Sequence, residues 1–284
     1  MGTVPQSTAF QAQRLALPQV TLCAATSVNV KATLRALEMS LAQVDFAACK
    51  LFTDAHVTPD HRGITVVPID KLGSSSAYSS FLLSQMVDHV ETPYCLVVQW
   101  DGHVIDARRW RREFFDYDYI GASWPQFDDG YDVGNGGFSL RSRRLMEACR
   151  DSRFRAFHPE DVAIGRENRR WLEGRGMRFA SRALADLFAA ERSGNLKTSF
   201  GYHGIWNMPR AVGVEAFWQI YRVLDDRGTV RHDFVSILRD VAHGPGGSMR
   251  IARMIFDRLK HSMGLECRGS RISSQRPAER RDEL

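Results

Sequence analysis

The sequence predicts an α/β fold in which a mainly parallel sheet carries helices on both faces. Short apolar runs alternate with amphipathic segments: Val20–Ala25 is followed by leucines at helical spacing, and Ile64–Pro68 by a second helical pattern. Some of these runs end at a polar residue, as Lys50–Thr53 ends at Asp54. Strands that alternate with helices of about ten to fifteen residues are typical of parallel sheets wound on both faces.

The first half of the chain contains the regular part of this pattern. Strands are predicted at 20–25, 50–54, 64–68 and 94–99. Apolar side chains at helical spacing mark one helix after the first strand and another after the third, at Leu34, Leu37, Leu41 and Val44 and at Tyr78, Phe81, Leu82, Met86 and Val90. Strand and helix therefore alternate up to about residue 99.

The second half is less regular and leads to a division into four segments. Short strands are predicted at 119–121 and 137–140, helices at 142–150 and 160–173, and three further helices at 214–225, 233–242 and 249–263. The predicted segments are an irregular N-terminus (1–18), an α/β domain (19–210), a helical C-terminal extension (211–266) and a disordered tail (267–284). The tail is rich in Arg, Ser and Glu and has little apolar surface to bury.

Composition indicates a globular chain with a small excess of positive charge. The 284 residues are 44% hydrophobic and 10% aromatic, which is ample for a sizeable core. The formal charge of +5 is compatible with anionic ligands such as nucleotide phosphates, or with an anionic membrane surface. The sequence has no RNA-binding signature, zinc-finger spacing or long basic arm, so nucleic acid is not expected as a partner.

Cysteine spacing and hydropathy indicate the cellular compartment in which the protein resides. The five cysteines lack CxxC spacing, and three lie in apolar strand-like runs, where a small buried thiol is the usual occupant. The sequence shows neither a charged leader with an apolar h-region nor a membrane-spanning apolar stretch, and we interpret the retention-like end Arg281–Leu284 as coincidence. We expect a cytoplasmic protein, with peripheral contact at the inner face of the membrane as the alternative.

The run Val97–His103 delivers an acidic residue, a glycine and a histidine where a buried strand should end. Ligands gather outside the carboxyl ends of the strands in open α/β sheets, so a carboxylate at this place faces a crevice. Asp101 is therefore the first candidate for chemistry. The alternative is an aspartate that caps a loop, with a histidine on the surface of that loop.

Five segments of the chain together resemble a known family. They are 97–104, 115–122, 133–142, His158–Asp161 and Phe200–His203. In this order they resemble the DUF5672 group of bacterial and fungal proteins, which is similar to glycosyltransferases of the GT-A type, over roughly residues 20–210. The resemblance implies a GT-A-like, Rossmann-like fold and sugar transfer from a nucleotide-sugar donor. Two of the segments also resemble inverting galactosyltransferase-like enzymes.

The resemblance further implies a divalent metal, Mn²⁺ or Mg²⁺, that neutralises the diphosphate leaving group. Such ions take one or two protein carboxylates, and the diphosphate and water supply the other ligands. Asp101 is the implied carboxylate, His103 stands where the family normally has the second Asp of Asp-x-Asp, and His203 is the implied late histidine. An imidazole also ligates Mn²⁺, but a lone histidine is equally compatible with a structural role.

Asn135, Gly136 and Gly137 belong to a glycine-rich segment that lacks GxGxxG spacing and is therefore not a dinucleotide fingerprint. Small residues let the main chain approach a sugar, and the Asn amide offers a donor and an acceptor to a hydroxyl. A tight hairpin turn is the alternative. Trp124 offers a ring face to a pyranose, although packing also explains an aromatic residue before Pro125.

Glu160 and Asp161 follow Pro159 at a predicted helix start, where carboxylates favour the positive end of the helix dipole. Capping alone would explain them. Inverting transfer, however, needs a carboxylate that takes the proton from the acceptor hydroxyl. The resemblance favours Asp161 as this base and Glu160 as a contact to the acceptor or donor sugar.

Polar residues at strand ends and at a helix start predict a nucleotide site. Thr26 and Asn29 follow the first strand, Asp54 ends the second, and Tyr78 and Ser79 lie in the serine-rich start of a helix. Strand ends and a helix N-terminus can hold a base, a ribose and a phosphate. N-capping explains the serines equally well.

The predicted helix at 249–263 is basic and amphipathic. Its apolar and basic residues are Met249, Ile251, Ile255, Leu259 and Met263, and Arg250, Arg253, Arg258 and Lys260. Such a helix either lies on an anionic membrane, where many lipid-linked glycan acceptors reside, or packs on the domain with its arginines in solvent.

These observations together predict an inverting, metal-assisted GT-A-like glycosyltransferase of surface polysaccharide or glycoconjugate synthesis. The resemblance favours a UDP-sugar donor, and the basic helix favours a saccharide or glycolipid acceptor. One alternative is a carbohydrate-binding or scaffold protein with a decayed site, suggested by Asp101-Gly102-His103 in place of Asp-x-Asp. Another is a metal-dependent phosphoesterase, for which the sequence shows no second dense ligand cluster.

Overall fold

A six-stranded mixed sheet organises the fold, which a computed structural model describes for residues 14–263. The strands are β1 (Leu15–Ala25), β2 (Val44–Thr53), β3 (Ile64–Pro68), β4 (Tyr94–Val98), β5 (His103–Val104), β6 (Tyr119–Ile120), β7 (Phe138–Ser142), β8 (Ala189–Ala190) and β9 (Gly201–Tyr202). The large sheet has the order β3-β2-β1-β4-β7-β6, and a small sheet has the order β5-β9-β8.

Ten α-helices are found within the described part of the chain. They are α1 (Val30–Leu41), α2 (Ser75–Ser84), α3 (Arg143–Ala148), α4 (Glu160–Val162), α5 (Arg169–Gly174), α6 (Arg182–Phe188), α7 (Met208–Val212), α8 (Val214–Arg222), α9 (Phe234–Ala242) and α10 (Gly247–Ser262). Short 3₁₀ turns lie at Met86–His89, Ala107–Arg109, Arg112–Asp116 and Arg227–Thr229, and a π-helical turn at Ala163–Glu167 joins α4 to the segment before α5.

The prediction of a mainly parallel sheet is correct for one part of it only. β3, β2, β1 and β4 are parallel neighbours, whereas β7 is antiparallel to both β4 and β6. The sheet is therefore mixed. Apolar periodicity locates a strand but carries no information about its direction, which the connections decide.

Strand β1 begins earlier than predicted, so the irregular segment assigned to 1–18 is wrong from Leu15 onwards. Pro18 lies inside the strand, at a shift in the register with β2 between Leu17 and Thr21. Pairing with β4 starts only at Val20, so the missing N–H of Pro18 interrupts no ladder on that side. Residues 1–13 lie outside the described residues, as does the predicted tail at 267–284.

Alternate side chains of β1 pack on opposite faces of the sheet. Leu22 and Ala24 lie in one apolar cluster with Leu37 of α1, and Cys23 lies in another with Phe81 of α2. Helices therefore cover both faces, as predicted. The cysteines among residues 14–263 are buried free thiols.

The three helices predicted beyond residue 211 are confirmed as α8, α9 and α10. They pack through a shared apolar cluster on the small sheet. Asn29, in a left-handed conformation before α1, accepts hydrogen bonds from the backbone N–H groups of Asp225 (2.9 Å) and Asp226 (3.0 Å). This C-terminal part is thus joined to the end of β1 and contributes Thr229 to the cavity described below.

No helix among residues 14–263 is both long and apolar enough to cross a membrane.

Candidate active site

A cavity of about 460 Å³ opens where β1 and β4 end. The chain leads from β1 outward to β2 and β3, and then returns to place β4 on the other side of β1. Between β1 and β4 the connections therefore diverge, which is where an open α/β sheet forms a crevice. Ala25–Asn29 line the cavity from the end of β1, and Gln99 and Trp100 line it from the end of β4.

Segments that are distant in the sequence complete the walls. These segments contribute Ser74, Ser75 and Tyr78 around the start of α2, Trp124, Asn135–Gly137, His158–Asp161, Glu191, His203 and Thr229. Ser74 caps α2 by accepting a hydrogen bond from the Ala77 N–H at 3.1 Å. The positive end of that helix therefore points toward the cavity wall.

Glu160 is buried, and both of its carboxylate oxygens are occupied. Oε1 lies 3.2 Å from Nη2 of Arg141, and Oε2 accepts a hydrogen bond from the Ser79 hydroxyl at 2.8 Å. Arg141 itself is only 1% exposed. The Ser79 hydroxyl also lies 2.9 Å from Nδ1 of His158, so the carboxylate belongs to a connected buried network. Each oxygen of the Glu160 carboxylate is therefore engaged by a neighbouring side chain.

Asp161 is half-buried and lies in a different environment. Its Oδ1 accepts a hydrogen bond from the Val162 N–H at 2.9 Å, and no other hydrogen bond joins this carboxylate to the described residues. Burial raises the pKa of Asp161, and the neighbouring charge of Glu160 raises it further. A carboxylate with an unoccupied oxygen and a raised pKa, on a cavity wall, is suited to accept a proton.

The loop at 135–137 lies against both carboxylate and histidine groups. Asn135 adopts φ 72° and accepts the Gly137 N–H at 2.8 Å through its Oδ1. Its Nδ2 is buried without a hydrogen-bond partner among the described residues. A Cβ at Gly136 would collide with the Glu160 carboxylate, and a Cβ at Gly137 with the His203 ring. The main chain of this segment therefore lies close to the Glu160 and His203 side chains, and one amide donor is left over. Its approach to a sugar stays a prediction.

His203 lies between two carboxylates and a glutamine. Its Nε2 is 3.5 Å from Oδ1 of Asp101 and 3.2 Å from Oε1 of Gln99, and its Nδ1 is 3.1 Å from Oε1 of Glu191. Burial opposes the charged imidazolium, but the negative charges of Asp101 and Glu191 and the hydrogen bond to Glu191 raise the pKa of His203 to about 10. Gln99 in turn donates to the Tyr78 hydroxyl at 2.8 Å, which links the two sides of the cavity.

His203 lines the cavity, whereas Asp101 and His103 do not. Asp101 lies behind the wall, next to His203. The Nδ1 of His103 lies 2.8 Å from the Val104 carbonyl oxygen, and its ring meets Tyr202 edge-on with centroids 4.9 Å apart. Burial lowers the pKa of His103 to about 4. The residue lies in strand β5, opposite Tyr202 of β9.

Of the metal ligands inferred from the sequence, Asp101 and His203 come together. Oδ1 of Asp101 is buried without a hydrogen bond, so an acceptor is available beside the imidazole. One oxygen and one nitrogen suit Mn²⁺ when a diphosphate supplies further oxygens. Residues 14–263 contain no group of three or more His, Cys, Asp and Glu side chains placed to hold a metal by themselves.

The structure separates the other predicted residues into two groups. Thr26, Asn29 and Tyr78 line the cavity. Asp54 is exposed after the end of β2 and does not line it. Ser79 does not line it either, and its hydroxyl donates a hydrogen bond to Glu160. Asp54 is displaced because β2 lies one strand beyond β1.

Trp124 lines the cavity but is 8% exposed. Its ring packs against Gly134 and Phe127. Packing within the protein therefore accounts for most of the surface of this side chain.

Four residues of the site were not among those predicted from the sequence, namely Arg141, Gln99, Glu191 and His158. Gln99 stands two positions before Asp101 at the same strand end, and Glu191 directly follows the short strand β8, so the strand-end rule that selected Asp101 also applies to both. No local pattern identifies Arg141 as a buried residue. It lies next to an apolar residue in β7, and such alternation predicts a side chain that faces solvent.

Known proteins resemble this chain in part of its sequence and in its structure. Residues 63–203 match the model of a family described as "Protein of unknown function (DUF5672)", which confirms the resemblance for that segment. Among solved structures, the chain is similar to "a glycosyltransferase involved in the glycosylation of the major capsid of PBCV-1", with a TM-score of 0.42 and 11% identity over 72% of this chain and 100% of that chain. No curated protein matches the sequence.

Proposed function

We propose that this chain is an inverting glycosyltransferase with a GT-A-like fold, which transfers a sugar from a nucleotide-sugar donor to an acceptor hydroxyl. One observation carries the proposal: of two adjacent carboxylates on one cavity wall, Glu160 is neutralised by Arg141 and Asp161 is left unpaired. General base catalysis needs one ionised carboxylate that is free to accept a proton, and Asp161 meets this requirement beside the fixed Glu160.

The chemistry of the proposed step is a single displacement. Asp161 takes the proton from the acceptor hydroxyl while that oxygen forms a bond to the anomeric carbon of the donor. The bond from this carbon to the nucleotide diphosphate breaks, and the diphosphate leaves with the electron pair. Attack opposite to the leaving group inverts the anomeric centre, so a single base suffices.

The end of β1 and the start of α2 are the proposed place of the nucleotide. Thr26 offers a polar group at the strand end, Tyr78 offers a ring and a hydroxyl, and the N-terminus of α2 favours negative charge. The Asn29 side chain, which was also predicted to bind the nucleotide, is buried and is occupied by hydrogen bonds to Thr229, Asp225 and Asp226. The amide Nδ2 of Asn135 would donate to a sugar hydroxyl. A UDP-sugar as donor and a saccharide or glycolipid as acceptor remain part of the proposal.

A divalent metal, Mn²⁺ or Mg²⁺, is the proposed cofactor, held by Asp101 and His203 and not by His103. When bound, it would neutralise the charge that develops on the diphosphate. His203 must be neutral to ligate a metal, so its two carboxylate partners would favour the proton in competition with the ion. We therefore expect the site to bind the metal ion with moderate affinity.

Donor binding tests this assignment directly. Calorimetric titration with UDP-, GDP- and CDP-sugars is expected to show one donor whose affinity rises with Mn²⁺. Asp101→Asn should abolish that rise, because the carboxylate oxygen nearest His203 becomes a neutral amide. Asp54→Asn, at an exposed position away from the cavity, should bind as the unaltered chain does. Equal affinity with and without Mn²⁺ would contradict the metal assignment, and failure of every donor to bind would contradict the proposed function.

The pH dependence of turnover is expected to follow Asp161. Only its ionised form accepts a proton, so activity should be present above its pKa and be lost as the pH falls through it. Burial and the charge of Glu160 raise this pKa, so the acidic limb of the kcat profile should lie above the range of an ordinary aspartate, about 4. Measurement of kcat against pH with saturating substrates tests this, and an acidic limb at the ordinary value would contradict it.

The non-enzymatic alternative, a nucleotide-sugar-binding protein with a decayed site, makes a different prediction. Such a protein would bind a donor and release no nucleoside diphosphate from it. Assay of released diphosphate with the donor identified by calorimetry separates the two.

A further inference from the structure

Helix α10 presents an apolar face to solvent on the side opposite to its packed face. Met254 and Asp257 are buried against the rest of the C-terminal part. The exposed apolar side chains are Met249 (77% exposed), Ile255 (41%), Phe256 (55%), Leu259 (53%) and Met263 (62%). At about 100° per residue these positions, together with Ala252, cover one continuous stripe on the outward side.

The charges around this stripe are of one sign. Between Gly247 and Met263 the sole acidic residue is Asp257, which is 7% exposed and paired with Arg227 and Arg253. Lys260 borders the stripe on one edge, with its Nζ 5.7 Å from the centre of the Phe256 ring. The exposed surface of the helix is therefore apolar at its centre and basic at its margin.

The opposite edge is basic as well. Arg258 follows Ile255 by three positions, which places it on the neighbouring ridge of the helix. Its guanidinium lies 4.5 Å from the centre of the Phe234 ring, and it donates to the Arg231 carbonyl oxygen at 3.3 Å. Arg231 adds a second cation on this side. The acidic residue that lines a surface cavity together with Arg231 and Arg258 is Asp233, whose charge is paired with Arg192.

We propose that α10 binds an anionic lipid surface, with its apolar stripe inserted at the headgroup level and Lys260 and Arg258 at the phosphates. An interfacial helix has this arrangement of an apolar face and cationic flanks. Attraction of each Lys or Arg to anionic lipid is worth about fivefold in affinity near the surface.

The charges on α10 favour an anionic lipid surface over a second copy of the chain as the partner of the apolar stripe. Two α10 helices packed through their stripes would bring basic margins together, and α10 has no exposed acidic side chain to pair them. Like charges across an interface are unfavourable, whereas anionic headgroups complement them. The proposal does not depend on the proposed sugar transfer.

Vesicle co-sedimentation of the full chain tests the proposal without any activity assay. The chain should bind vesicles of phosphatidylcholine mixed with phosphatidylglycerol, bind pure phosphatidylcholine far less, and lose binding as salt increases. Leu259→Glu should lower the partition coefficient about tenfold or more, because the leucine that would insert among the lipid headgroups is replaced by a charge. Lys260→Gln should lower it about fivefold.

The matched control is Val223→Glu, which places the same charge at an exposed apolar position (42% exposed) outside α10. It should bind vesicles as the unaltered chain does. An equal loss in Val223→Glu and Leu259→Glu would overturn the proposal, as would failure to bind anionic vesicles. Concentration-dependent dimers that Leu259→Glu dissociates, with no vesicle binding, would overturn it in favour of self-association.

Discussion

Asp161→Asn is expected to lower turnover by about a hundredfold to ten-thousandfold, the usual contribution of a positioned general base. The amide has nearly the shape of the carboxylate and can accept the Val162 N–H in the same way, so the helix start should be preserved. It cannot take a proton from an acceptor hydroxyl. Donor affinity should stay within about twofold, because the loss concerns only the transition state.

The measurement is the rate of nucleoside diphosphate release with the donor identified by calorimetry, together with the dissociation constant of that donor. Asp54→Asn is the matched control, since it removes a carboxylate at an exposed position away from the cavity. Unchanged turnover in Asp161→Asn would contradict its role as the base. A parallel loss of donor affinity and turnover would instead show that Asp161 binds substrate in its ground state.

Arg141→Met is expected to lower the free energy of unfolding by about 3–5 kcal/mol. The side chains of Arg141 and Glu160 are 1% and 5% exposed, so removal of the cation leaves a buried carboxylate without its charge partner. The guanidinium also donates to the Ser139 hydroxyl at 3.0 Å and lies 5.7 Å from the centre of the Tyr119 ring. Loss of these contacts adds to the effect.

Urea unfolding of three variants tests this expectation. Arg35→Met removes one partner of the exposed Arg35–Glu38 pair and should cost less than about 1 kcal/mol. The double variant Arg141→Met/Glu160→Met removes both buried charges and should recover part of the stability lost in Arg141→Met. A cost for Arg141→Met no larger than that for Arg35→Met would show that the buried pair does not hold this wall together.

Local pattern was sufficient for much of the fold. Strands β3 and β4 and helices α1, α2, α8, α9 and α10 were located from apolar spacing, because one buried face imposes a period of two or about 3.6 on the sequence. Strand β2 was located in its second half only, since it begins at Val44, which was predicted to continue the first helix, and α2 ends at Ser84, before Met86 and Val90 of the predicted pattern. Strand-end logic also directed attention to Thr26 and Asp101, since parallel strands end at one edge of a sheet. The start of β1 was missed, because Pro18 usually marks a strand boundary and here lies at a register shift.

The sequence by itself thus determined most strands of the large sheet and several helices, but not the small sheet or helices α6 and α7. It also singled out the Glu160–Asp161 pair, which lines the cavity, and Asp101, which does not. Only the tertiary structure decided that β7 runs antiparallel to β4, that His203 and not His103 lies beside Asp101, and that Asp161 is the unpaired carboxylate. Adjacent helical residues point about 100° apart, so their surroundings come from residues far along the chain. Arg141 and Ser79, which occupy Glu160 and leave Asp161 unpaired, are brought to it by packing that no local period records.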